Sequence, residues 1–211
     1  LIDMGHRRIG YVGRKQSLDP ATNERLLAYR DAFEWMSLPH CPQWEYSPSY
    51  TARDADMFEG IAMTPRSERP TALIVTDTFW PMTAHLYARG WRFPDDVSLV
   101  HVGTTESWSD LLHDPQSRMF SRVVNTAFKA ELAQPYNNRP AELVLLQPTT
   151  VAMPSRRMGE WGMSEALRLV STADAEPQRV VLEPELIIGN TVAPAGEARS
   201  PYARRIISND N

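Results

Sequence analysis

Apolar and polar positions follow two rhythms over the first hundred residues. Unbroken apolar runs of strand length occur at Ile9–Val12 and Ala72–Val75, and the stretch PDDVSLVHV gives a third behind a Pro94-Asp95-Asp96 turn. Between them the spacing turns helical. Ala21–Trp35 puts Leu26, Leu27, Tyr29, Ala32 and Phe33 on one side, with Asp19-Pro20 or Thr22 as its start signal. Ala52–Met63 also reads as helix, as does Trp80–Arg89, which Gly90 ends. Leu1–Met4 reads as the last turn of a helix stopped by Gly5, and the Pro- and aromatic-rich Leu38–Tyr50 as a loop with a short strand. Continuous apolar strands alternating with helices predict an α/β fold, a parallel sheet covered on both faces. Ligands of such sheets bind at the carboxyl ends of the strands. Here those ends are Gly13-Arg14-Lys15, Thr76-Asp77-Thr78 and Gly103-Thr104-Thr105, all small, polar or charged.

The rhythm weakens afterwards. Glu106–Gln147 carries turn signals, a helical stretch around Phe120–Ala133 and a strand candidate at Leu143–Leu146. TTVAMPSRRMGEWGMSEALRLV reads as an extended segment, a break at Pro154 and a helix over Ser155–Val170, against which Gly159 and Gly162 count. Val180–Ile188 reads as a strand pair, or one strand bent at Pro184, and the polar tail from Ala193 as frayed or disordered. No internal repeat is visible.

Composition narrows the function classes. A net charge of −4, with the Arg residues spread along the chain, offers no basic field for nucleic acid. The single cysteine, Cys41, excludes an internal disulfide framework, and no apolar run is long enough to span a membrane. Nucleophile-elbow, phosphate-loop and zinc-protease motifs are absent, and His6, His40, His85, His101 and His113 lack metal spacing, so neither an enzyme nor a cofactor is expected. His40-Cys41 lies in a Pro-rich loop without a visible catalytic partner, and Glu183 and Glu185 read as a solvated edge rather than an acid–base pair.

Five segments taken in order, LIDMGHRRIGYVG, ERLLAYRDAF, RPTALIVTDTFWPMTAHLYARGWRFPDDVSLV, TTVAMPSRRMG and VVLEPELIIGNTVAP, resemble the effector-binding domain of LacI-type transcription regulators. The resemblance covers Leu1 to about His101 and Thr149–Pro194. It implies a parallel-sheet lobe of the periplasmic-binding-protein-like fold. In that family this opening follows a helix-turn-helix headpiece, a hinge and most of a first lobe, so the chain is expected to be a fragment or the product of a truncated gene. The expected organisation is a lobe over 1–105, an atypical insertion over 106–148, a crossover helix and terminal strand over 149–194, and a polar tail over 195–211.

The resemblance also implies site residues. Arg25 holds the place of the Arg that points into the family's cleft and donates to ligand hydroxyls, a role its five fixed donors suit; by spacing alone it is a surface Arg of a first helical turn. Asp77 ends a buried strand where the family sets Asn or Asp against ligand; its alternative is the N-cap of the next helix. Tyr50 stands near the place of an aromatic that stacks on a sugar face. After the third strand the family carries a ligand-binding Asp, whereas this chain has Gly103-Thr104-Thr105, leaving Thr104 and Thr105 to supply hydroxyls.

The function implied is a cytoplasmic, non-enzymatic sensor of a small sugar-like or purine-like effector. Binding would shift a two-state equilibrium in a homodimer and change operator affinity through a headpiece outside this chain. The alternatives are a stand-alone solute-binding protein of the same fold and a non-binding interaction module.

Overall fold

The computed structural model describes residues 1–14, 20–48, 54–76, 78–103, 146–172 and 174–196. They form a six-stranded sheet flanked by helices. In chain order the elements are β1 (Ile9–Val12), α1 (Pro20–Trp35), a 3-10 turn (Pro42–Trp44), β2 (Glu45–Tyr46), α2 (Asp54–Met63), β3 (Ala72–Val75), α3 (Phe79–Ala88), β4 (Ser98–Gly103), β5 (Thr149–Ala152), α4 (Ser155–Ser171) and β6 (Glu185–Ile187). The strand order is β2-β1-β3-β4-β5-β6. The first five strands run parallel and β6 pairs antiparallel to β5.

The two-residue alternation of the strands sorts their side chains onto two cores. Ile9, Tyr11 and Ala72 face α1, where they pack with Leu26, Tyr29 and Phe33. Val12, Leu73, Val75 and Leu99 face the other way and pack with Phe58 and Ile61 of α2 and with Phe79, Met82 and Leu86 of α3. Covering both faces with helices explains why these strands are continuously apolar.

At the sheet edge, β2 is fastened to α1 by one carboxylate. Arg30 donates from Nε and Nη2 to the two Glu45 oxygens, each at 2.8 Å. His40 Nε2 lies 2.9 Å from the same carboxylate but off the hydrogen-bonding direction. Next to it the Tyr29 hydroxyl donates to the Ile9 carbonyl at 2.9 Å. Burial, with Glu45 close by, pushes the Tyr29 phenol well above its ordinary value, and burial pushes Tyr46 up to about 12.

The return segment is stitched to the sheet by a threonine. Buried Thr191 donates from Oγ1 to the Leu99 carbonyl at 2.6 Å and accepts from the Thr149 backbone N–H at 2.9 Å. Ala193 and Ala195 are held too: Ala193 O accepts from His6 at 2.9 Å, and Ala195 N donates to Met4 O at 2.9 Å.

Several expectations need correction. The opening turn is not among them: Gly5 N donates to Ile2 O and His6 N to Leu1 O around Gly5 at φ +88°, the bonding of a helix end stopped by glycine, as expected. The tail is anchored through Ala195, because its backbone groups find partners on the opening turn. Val180–Ile188 yields only the short strand Glu185–Ile187, since β5 offers just Thr150–Ala152 as its ladder. Leu146, assigned to the insertion, is buried in the α2–α3 core. The helix expected at Phe120–Ala133 and most of the 106–148 segment lie outside the described residues.

Candidate functional site

The carboxyl ends of β1, β3 and β4 come together because the three strands are paired in register, Val12 beside Val75 and Val75 beside His101. Two glycines stand at this edge. Gly13 lies so close to its neighbours that a Cβ would meet Thr76 Oγ1 at 2.5 Å and the Tyr11 ring at 2.7 Å. Gly103 has the His101 imidazole 2.7 Å from where its Cβ would be. Glycine therefore suits the close packing at both ends.

Polar groups surround these glycines. Thr76 N donates to the Val12 carbonyl at 2.9 Å, with its hydroxyl at 3.4 Å from the same oxygen. Gly13 N donates to Tyr46 O at 3.0 Å, tying in β2. Thr78 is buried, yet its hydroxyl has no hydrogen-bond partner among the described residues. A buried hydroxyl without a partner costs about 1–3 kcal/mol. His101 packs its ring against Phe79, centroids 4.8 Å apart, and closes the apolar side.

Of the residues expected to line this edge, the described structure contains Arg25. It is half-buried in the second turn of α1, one helical step from buried Thr22 and Tyr29. Helical side chains lean towards the N-terminus of their helix. The N-terminus of α1 follows the carboxyl end of β1 in the chain, and Arg25 stands in the second turn of that helix. Asp77, Tyr50, Thr104 and Thr105 lie outside the described residues. In sequence, Asp77 is flanked by Thr76 and Thr78, and Thr104 and Thr105 follow Gly103. The N-cap of α3 is Thr78 rather than Asp77, and it makes no side-chain cap bond.

Sequence reasoning singled out the strand ends but missed why two glycines stand there. Contact between Gly103 and a side chain two residues earlier leaves no signal in spacing. The unmatched Thr78 hydroxyl likewise shows only once burial is known.

Among the described residues no group of three or more His, Cys, Asp or Glu could hold a metal ion. None of their helices is long and apolar enough to cross a membrane.

Comparison with known proteins bears directly on this edge. The family model for a periplasmic binding protein-like domain matches residues 1–130. The chain belongs to that family. Solved structures of the same fold include a LacI family transcriptional regulator from Lactobacillus casei with bound sucrose, 18% identical, at a TM-score of 0.60 over 90% of this chain and 59% of that one. A transcription regulator from Lactobacillus plantarum is 16% identical, with a TM-score of 0.63 over 92% of this chain and 62% of its own. A LacI family regulator from Mycobacterium smegmatis is 19% identical, with a TM-score of 0.59 over 92% and 60%. The domain thus has the effector-domain fold of LacI-type regulators and spans about three fifths of their length. No curated protein matches it.

Proposed function

We propose that this periplasmic binding protein-like domain is the ligand-sensing part of a LacI-type transcription regulator. The observation that carries the reading is the edge at the carboxyl ends of β1, β3 and β4, where the paired strands bring Gly13, Thr76 and Gly103 to one end of the sheet. A small hydroxyl-rich ligand fits this chemistry. Arg25 supplies donors, Asp77 acceptors, Tyr50 an apolar face, and Thr104 and Thr105 weaker hydroxyl contacts. The relative with bound sucrose, and a second structure from the same bacterium with bound glucose, support a sugar as the ligand class.

The mechanism is a population shift. A ligand that prefers one arrangement of a homodimer shifts the equilibrium by its differential affinity and no more. The output is altered operator affinity through a DNA-binding headpiece, and the working compartment is the cytoplasm. No bond is made or broken, so the domain is not an enzyme.

A thermal-shift series with sucrose, glucose and a purine tests this. The expected result is a saturable rise in Tm with one of them, reduced at least about tenfold in apparent affinity by Arg25→Ala, the loss of one or two charge-assisted hydrogen bonds. A rise that Arg25→Ala leaves unchanged would remove Arg25 from the site.

A further inference from the structure

The amino ends of the strands, opposite the proposed ligand edge, hold a polar cavity. Its volume is about 200 Å³, and its walls come from the segments that lead into β1, β3 and β4 together with the return at Pro194–Gly196. Three guanidinium groups line it, those of Arg8, Arg66 and Arg69, with the carboxylates of Asp95 and Asp96 and the imidazole of His6.

The charges do not cancel. Asp96 is already committed, accepting from Arg69 Nη2 at 3.2 Å and from the Arg92 backbone N–H at 2.8 Å. Arg69 is fixed in place, its guanidinium lying 4.0 Å over the Trp91 ring. Burial lowers its pKa first; Arg66 and Arg8 push the same way, against the pull of Asp96. Arg8 donates to the Ser67 carbonyl, a neutral group. Arg66 makes neither an ion pair nor a hydrogen bond among the described residues, and is exposed at the rim. His6 contributes no charge, since burial holds it below its ordinary value while both ring nitrogens are engaged, with Thr71 and Ala193. Three cations therefore face two carboxylates.

We infer that this cavity is a site for a small oxyanion, a phosphate or carboxylate group, held by Arg8 and Arg66 on the platform that Arg69 makes with Trp91. Guanidinium forks match oxyanion geometry and bind it through paired charge-assisted hydrogen bonds. The volume lies below the roughly 300–1,000 Å³ of pockets for drug-sized ligands, which points to a small group. Because the walls join the segment leading into β1 to the return segment, an anion bound here would fasten the two together. The site is independent of the sugar reading: it lies at the other end of the sheet and shares no residue with it.

The test is thermal unfolding of the whole chain against rising inorganic phosphate and, separately, malonate, at constant ionic strength, in the wild type and in Arg66→Gln. Arg66 is exposed, so its replacement leaves the core intact. A hyperbolic rise in Tm with either anion, its midpoint moved about tenfold higher by Arg66→Gln for the loss of a charge-assisted hydrogen bond, supports the site; which anion saturates first names its class. Phosphate also stabilises proteins non-specifically by exclusion from their surface. A rise that is linear, or the same in the variant, or no rise with either anion, would overturn the inference.

Discussion

Gly189 shows how much a single position can decide. A Cβ there would lie 2.1 Å from the Gln147 carbonyl oxygen and 2.6 Å from the Pro148 carbonyl carbon, both backbone atoms that cannot step aside. Gly189→Ala is expected to cost about 3 kcal/mol or more, read as a lower urea midpoint with an unchanged slope. Gly60→Ala serves as the contrast, since nothing lies within 4 Å of its Cβ position on α2. His6 gives the pH dependence. Burial lowers its pKa from the ordinary 6.5, partly offset by its bond to Ala193. Just below 6.5 the unfolded chain thus takes up a proton that the folded chain refuses. Stability is fully present above that value and is lost as pH falls towards the lowered one. Urea midpoints measured across this window should fall on acidification, and His6→Gln should flatten the dependence. Neither residue announced itself in the sequence: Gly189 carries no signal there and His6 reads as one of five scattered histidines, because what matters is a backbone or carbonyl more than forty residues away.

Elements were more legible than residues. The bounds of β1 and β3 follow directly from their apolar runs, and α1 from its helical spacing, since local pattern and burial agree there. The short β6 was over-read because apolar Val180 and Val181 are exposed rather than paired. The α4 helix forms despite Gly159 and Gly162, aided by Arg156–Glu160 and Glu165–Arg168 pairs one turn apart. Hydrogen bonds from Arg168 and from the Gln178 backbone hold the Glu165 carboxyl at about 2. None of the described α4 residues is buried, and Met158, Met163, Leu167 and Val170 are exposed. Both glycines have open space around them and ordinary helical backbone. The double substitution Gly159→Ala, Gly162→Ala should therefore stabilise α4 by about 0.5–1 kcal/mol per site. Amide hydrogen exchange along α4 would slow; unchanged or faster exchange would mean that the glycines serve a contact.

For the whole molecule, two cores on opposite faces of one sheet leave function to the sheet's ends. Continuous apolar strands make that architecture readable in the sequence, and the alternation of strand and helix makes the carboxyl ends the expected ligand edge. The site itself was only partly readable. Arg25 came from a motif, but the close approaches at Gly13 and Gly103 and the lone Thr78 hydroxyl are products of packing between segments far apart in sequence. The central claim is that a sugar binds at this edge. Backbone amide chemical-shift mapping during a sucrose or glucose titration tests it most directly. The account predicts saturable shifts concentrated at Gly13, Thr76, Thr78 and Gly103 and along the first turns of α1. Shifts confined to other surfaces, or none at saturating sugar, would contradict it.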